Sequence, residues 1–294
     1  MRQLLKTTSL FALALVFTAG MAFGQDNTST VDQTGDDHSA DVIQNGGSNT
    51  VELEQADTDL GDGVTNNMTA NVRQKFDGNE AYIDQKGNSG LIGPGKSTAD
   101  AEVDQVGNNN YLDLDQGPFF GNHSADIDQL GNNNTIRLRT SNGGGEANVY
   151  FDGNQNKLVR SNSSGQILSG EQVVQKNGSG RTQFIDITVD GNANKIGADQ
   201  QSGNGTDELT IDIMGSDNFV PTYQGAKNGD IDITVADGYN NFLKAVQNGN
   251  NSTATIDLNG VSDNNRTVIN QSSAGNTATI TVDGASNTAT VQQQ

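Results

Sequence analysis

A polar residue that returns every 11 positions constrains this chain more than its composition does. In Ala101 to Gln116, AEVDQVGNNNYLDLDQ, the anchors Gln105 and Gln116 stand 11 apart, and Asn110 falls 5 after the first. Ala101, Val103 and Gln105 alternate with Glu102 and Asp104, and Leu112, Leu114 and Gln116 alternate with Asp113 and Asp115. Period 2 is the mark of half-buried β-strands. Gly107 and Asn110 lie in the polar stretch between, where Gly supplies positive φ and Asn tolerates the left-handed region. The stretch therefore reads strand, turn, strand.

Most of the chain copies it. Gln33, Gln44 and Gln55 stand 11 apart with Asn49 between the last two, and Gln74, Asn79 and Gln85 repeat the spacing. Gln129 and Asn134 continue the series. Beyond them the anchor drifts while the spacing holds: Thr140, Phe151 and Asn162, with Asn156; Val189 and Gln200, with Asn194; Ile213 and Gln224, with Asn218; Gln247 and Leu258; Val282 and Gln293, with Asn287. Insertions interrupt the pattern near 56–67 and 90–97, and the stretch 163–181 is the least regular. About 22 strand-length segments lie between Gln33 and Gln293.

Two short strands and two turns, recurring about every 22 residues, cannot bury an inner face alone and must stack on their neighbours. The expected fold is all-β: a β-solenoid of about eleven coils, rising roughly 50 Å at the spacing of hydrogen-bonded strands. Ala, Val, Ile and Leu occupy the inner positions, with Gln and Asn at their ends. Stacked Gln and Asn would form amide ladders of the cross-β kind, satisfying buried polar groups along the axis. A helix is excluded by the period and by Gly and Asn every few residues.

Composition alone would mislead. A hydrophobic content of 32%, a mean hydropathy of −0.59 and a formal charge of −20 ordinarily suggest disorder, but here the polar residues recur at fixed spacing. With no Cys, disulfides and thiolate metal sites are excluded. At the N-terminus, Arg2 and Lys6 precede a short apolar run, Leu10 to Phe17, and the small residues of Ala22-Phe23-Gly24. This is the pattern of a secretory signal peptide, 1–24, leaving a solenoid over 25–294. The remaining 14 basic and 36 acidic residues give a formal charge of −22. Such a surface repels nucleic acid and anionic lipid, and no later stretch is long and apolar enough to insert in a membrane.

The spacing Gln-x4-Asn-x5-Gln, with Gly two after the first Gln, resembles the curlin repeat of curli subunits. Gln44-Asn49-Gln55, Gln74-Asn79-Gln85 and Gln105-Asn110-Gln116 carry the resemblance in full. Thr140, Phe151, Val235 and Leu258 depart from it where Gln is expected. The resemblance implies a secreted structural subunit of extracellular amyloid fibres in a biofilm matrix, aiding adhesion. Its implied partners are copies of itself, other curlin-like subunits and an outer-membrane export apparatus. The alternative is a monomeric acidic solenoid adhesin or surface-binding module, associated with calcium. A full repeat ending at Gln293 and an early first repeat favour polymerisation, because a protected solenoid caps its terminal coils.

Nothing in the sequence points to catalysis or to a cofactor. His38 and His123 sit in matching contexts, HSADVIQ and HSADIDQ, each 6 before an anchor Gln where Asn is expected. An Asn substitute in a turn is the expectation, since a metal site needs clustered ligands. Asp77-Gly78-Asn79, Asp152-Gly153-Asn154 and Asp190-Gly191-Asn192 have the residue types of calcium-binding turns, but the G-G-x-G-x-D nonapeptide is absent. Thr277-Ala278-Thr279 and its neighbours are outward threonines suited to strands. Acidic residues recur at outward positions: Glu52 and Glu54, Glu102 and Asp104, Asp113 and Asp115, Asp126 and Asp128.

Overall fold

The computed structural model describes residues 26–34, 38–57, 67–87, 98–116, 124–139, 146–159, 173–175, 182–200, 206–225, 228–260 and 263–294. Every regular element among them is a strand, and no helix there could cross a membrane. The strands stack in two parallel columns, with alternate strands of the chain going to alternate columns. The first column begins Thr28–Thr34, Thr50–Asp57, Glu80–Gly87 and Tyr111–Asp113. A bridge from Tyr111 to Thr135 carries it into a longer sheet that ends Phe219–Gln224, Phe242–Gln247, Arg266–Gln271 and Thr288–Gln293. The second column begins Ser39–Asn45, Asn67–Lys75 and Thr98–Val106 and includes Thr253–Asp257 and Thr277–Thr281. Between these, isolated bridges such as Val106 to Leu130 and Glu208 to Asp230 continue the stack.

Register is set by the period. Gln33 pairs with Gln55 and Gln55 with Gln85, while Gln44 pairs with Gln74 and Gln74 with Gln105. A slip of one residue would turn every inner side chain to solvent. Inner residues of the two columns face each other in one continuous core. Val51, Leu53, Ala81, Ile83, Leu112 and Leu114 come from the first column, and Ala70, Val72, Ala101, Val103, Ala125 and Ile127 from the second. The outermost coils are less covered: Val31, Ala40, Val42, Ala289 and Val291 are only partly buried against this core.

The irregular stretch differs from the 11-residue count. Thr140 and Asn162 lie outside the described residues. Lys157–Val159 pairs with Lys195–Gly197, and Val173–Gln175 then resumes the same column, with Gln175 in register with Gln200. An insertion thus divides one strand, and the anchor position falls on Gln175 rather than on Asn162. Ala56, Asp57 and Asn67 belong to strands. The rest of the first expected insertion, and all of 90–97, lie outside the described residues.

The turns explain the glycines. A Cβ on Gly107 would lie 1.7 Å from the carbonyl oxygen of Gly131, one on Gly153 1.7 Å from that of Gly191, and one on Gly191 1.8 Å from that of Gly215. The carbonyl of each turn occupies the space where the glycine below has no side chain. The residue two further on is left-handed even when it is not glycine, as at Asn109 (φ 55°), Asn133 (φ 57°) and Ala193 (φ 56°). Asn accepts that conformation more readily than Ala. We expect Gly191→Ala to lower the melting temperature markedly, because backbone must move to admit the methyl group. Ala193→Gly, two residues away, should raise stability by up to about 1 kcal/mol. Thermal denaturation followed by circular dichroism checks both.

Candidate functional site

The feature that could act between molecules is the set of side-chain amides at the coil corners. Asn49 accepts the backbone N–H of Asn79 on Oδ1 at 2.9 Å, and its Nδ2 donates to the carbonyl of Phe76 at 2.8 Å. One amide thus holds both ends of the turn in the next coil. Asn79 does the same for Asn110 and Gly107, Asn110 for Asn134 and Gly131, Asn134 for Asn156 and Gly153, and Asn156 for Asn194 and Gly191. Asn194 then holds Asn218 and Gly215, and Asn218 holds Asn241 and Gly238. The row runs from Asn27 through Asn265 to Asn287, eleven asparagines among the described residues, each joined to the next. Interior members are buried, while Asn287 is exposed.

Glutamines mark the other end of each inner row. In the first column Gln33 donates to Gln55 at 2.7 Å, Gln116 to Gln85 at 2.9 Å, Gln224 to Gln247 at 3.1 Å, and Gln271 to Gln293 at 2.8 Å. The backbone of Gln200 is in register with that of Gln224. In the second column Gln44 donates to Gln74 at 3.0 Å and Gln74 to Gln105 at 2.8 Å. Each Nε2 also reaches across to a backbone carbonyl of the first column, as Gln44 does to Thr28, Gln74 to Thr50, Gln105 to Glu80 and Gln129 to Tyr111.

The last second-column ladder bond joins Gln74 to Gln105, and the last glutamine anchor of that column is Gln129. The following anchors are Phe151, Val189, Ile213, Val235, Leu258 and Val282, all buried. Gln129 Oε1 is buried without a hydrogen-bond partner: the ladder donates from Nε2 to the Oε1 of the following coil, and Gln105 Nε2 donates to the carbonyl of Glu80 without reaching Gln129. The positions in these rows that sequence spacing missed are Asn27, Asn241, Asn265 and Gln271, together with Gln175 in the backbone register. Asn241 and Asn265 sit in turns one and two residues longer than the standard one, which moves them off the 5-residue spacing. Gln271 had a visible signal in its register with Gln247 and Gln293.

His38 stands at the turn between the columns. Its Nε2 lies 3.2 Å from the carbonyl of Thr34, four residues earlier. Asn79 and Asn134 make the same bond to the carbonyls of Lys75 and Leu130, so His38 is an asparagine substitute. His123 lies outside the described residues. Among the described residues no group of three or more His, Cys, Asp and Glu is placed to hold a metal ion.

The outer face of the second column is acidic, and in-register stacking puts like charges together. The Asp128 carboxyl is pushed up by burial and by Asp126 and Asp104; Asp186 by burial, Asp212 and Glu146; Asp232 by burial, Asp230 and Asp212; and Asp100 by burial alone. Two cations relieve the N-terminal half, Arg73 on Asp104 and Arg137 on Asp113, the latter at 3.0 Å on the first column.

A two-sheet parallel solenoid with uninterrupted asparagine stacking is a fold class in which each coil is a template for the next. Residues 24–56 match the family of the curlin associated repeat. The matched stretch contains Gln33, Gln44, Asn49 and Gln55, and the following coils keep its register. No curated protein matches the chain.

Gln105 makes a ladder bond and a bond to backbone, whereas Gln129 makes only the latter. Gln105→Ala should therefore cost roughly 1–3 kcal/mol of stability and Gln129→Ala measurably less, read by denaturant unfolding. The pH dependence has a definite sign. Asp100, Asp128, Asp186 and Asp232 bind protons more tightly folded than unfolded, so their contribution is most favourable below the ordinary value of 3.8 and is lost as pH rises through their raised values. Unfolding at about pH 4 should need more denaturant than at pH 7, an ordering that substitution of the four by Asn should abolish.

Proposed function

We propose that this chain is a secreted, non-catalytic structural subunit that polymerises end to end into extracellular curli-like fibres of a biofilm matrix, and so aids adhesion. The observation that carries this reading is the asparagine row. Its bonds run along the solenoid axis, and a coil from another copy offers the same turn groups to the outermost asparagine that a coil of the same chain would. The partly exposed inner residues of the outermost described coils support it, since burying them against another copy is favourable at about 25 cal/mol per Å². The curlin-repeat match over 24–56 and the signal-peptide pattern over 1–24 agree with secretion. Other curlin-like subunits and an outer-membrane export apparatus are the partners this reading requires.

Charge would set the rate. Glu102 and Asp104 stack directly on Asp126 and Asp128, and like charges in neighbouring strands destabilise by a few tenths to about 1 kcal/mol per pair. Rows of this kind on an exposed edge act as gatekeepers. About 1 M salt, with a screening length near 3 Å, should relieve them.

The purified chain without residues 1–24 should form unbranched filaments, with diffraction spacings near 4.8 and 10 Å. In a dye-binding assay the lag should shorten with added salt. Replacing the eight acidic residues at 52, 54, 102, 104, 113, 115, 126 and 128 by Asn and Gln should shorten it at low salt and flatten its salt dependence. A chain that stays monomeric for days at high concentration would favour the solenoid surface-binding module. A lag indifferent to the eight substitutions would remove the gatekeeper role alone.

A further inference from the structure

The two outer faces of the solenoid carry opposite charge in its C-terminal half. In the first column, one outward row runs through successive strands in register: Lys157, Lys195, Phe219, Phe242 and Arg266. Lys195 and Arg266 are exposed and the other three half-buried. The Phe219 and Phe242 rings meet edge to face at 5.5 Å, and the Arg266 guanidinium lies 5.1 Å over Phe242. Lys244 stands in the neighbouring row, its ammonium pushed down by burial and by Arg266. Among the described residues, the outward positions of this column from Lys157 onward carry four basic residues, Lys157, Lys195, Lys244 and Arg266, against one acidic residue, Asp199.

The second column presents the reverse over the same coils. Asp186, Asp212, Asp232 and Asp257 lie outward there, and burial and their neighbours raise Asp186 and Asp232. Over these coils the first face thus carries net positive charge and the second net negative charge. The faces lie on opposite sides of one core, so they cannot neutralise each other within a molecule. Asp186 and Asp232 share one outward row and Asp212 and Asp257 the next, each pair two coils apart with Thr210 or Thr234 between, so two solenoids laid side by side present faces of opposite net charge along their length.

We propose that the basic, aromatic row of one copy docks on the acidic face of a second copy, joining solenoids laterally into sheets or bundles. The occupant is a second copy because its complementary face runs along the same axis and carries the opposite net charge. The first column's N-terminal strands, with Glu52, Glu54, Glu80, Asp84 and Asp113, would repel that acidic face, so pairing is confined to the C-terminal half. Phe219 and Phe242 supply the apolar contact between the flanking cations, and complementary charge fixes the register. The inference rests on the solenoid faces and does not require polymerisation.

Salt separates it from axial growth. Screening weakens attraction between faces but relieves repulsion along the axis. Bundles seen by negative-stain microscopy at about 20 mM salt should fall roughly tenfold in number at about 0.5 M, while the lag shortens. Two charge-reversed proteins give the decisive comparison, Lys195→Glu with Arg266→Glu and Asp186→Lys with Asp232→Lys. Filaments of either alone should stay single, and a mixture of the two should bundle. If the chain does not polymerise, sedimentation velocity reads the same pairing, as salt-sensitive association of the mixture and none in either variant alone. Bundling by each variant alone, bundling that survives high salt, or a mixture that stays apart would overturn the proposal. Capture of a soluble polyanion such as heparin by the basic row, with bundling unchanged by its reversal, would assign the row to a foreign polyanion and overturn it equally.

Discussion

One asparagine amide per coil, held by both ends of the next turn, is the contact on which the rest of the solenoid depends. A turn carbonyl and a turn N–H buried at the corner would each cost a desolvation penalty of roughly 1–3 kcal/mol if left unpaired. The amide satisfies both, and does so only if the turns stack at the strand spacing. That distance leaves no room for a Cβ between consecutive turn carbonyls, which is why Gly107, Gly153 and Gly191 are glycine. Phe76 is the exception. It holds the glycine position of its turn at φ 74°, with its ring outside, 49% exposed, near the ammonium of Lys75.

The glutamine corners are under a weaker constraint, and the chain shows it. A net hydrogen bond contributes about 0.5–1.5 kcal/mol, whereas burying a Val, Ile or Leu side chain contributes about 1.5–3 kcal/mol. A second-column corner can therefore exchange its ladder for apolar packing at no loss. It does so after Gln129, where Ile185, Ile187 and Val189, then Leu209, Ile211 and Ile213, carry apolar side chains up to the corner. The asparagine corner has no such exchange open to it, because a backbone turn cannot be made apolar. Drift at one corner and constancy at the other follow from that difference.

The same difference decides what the sequence revealed. The all-β stacked architecture was legible because period 2 and an 11-residue recurrence leave few other arrangements, and Asn49, Asn79, Asn110, Asn134, Asn156, Asn194, Asn218 and Asn287 could be placed by spacing. Asn241 and Asn265 escaped because turns can lengthen without disturbing the register of the strands they join. Gln175 escaped because an insertion can enter a strand wherever its two halves still pair above and below. Counting residues along the chain cannot detect either event; the hydrogen bonds between coils do. The division of charge between the two outer faces was also hidden. It emerges only when outward positions are sorted by column, since Lys195 and Asp212 are near in sequence but lie on opposite sides of the core.

Stacking in register has a consequence for charge that no placement of residues avoids. The translation that brings Asn over Asn and Gln over Gln also brings carboxylate over carboxylate, as at Asp104 and Asp128. Uncharged amides gain from the superposition and charges lose by it. A protein of this kind keeps charge largely out of its inner rows, with Asp207 the one buried acidic residue among the described residues, and accepts repulsion in its outer ones, unless cations interrupt the row, as Arg73 does on the second face and Arg137 on the first. Along the axis, specificity then comes from neutral groups, whose bonds are little affected by ionic strength, while the ionic medium controls only the opposing term. Across the faces the reverse holds, and the medium controls the attraction itself. One chain therefore answers its surroundings differently in two directions, and the orthogonality of the two is set by the geometry of a strand, whose inner and outer side chains alternate by residue.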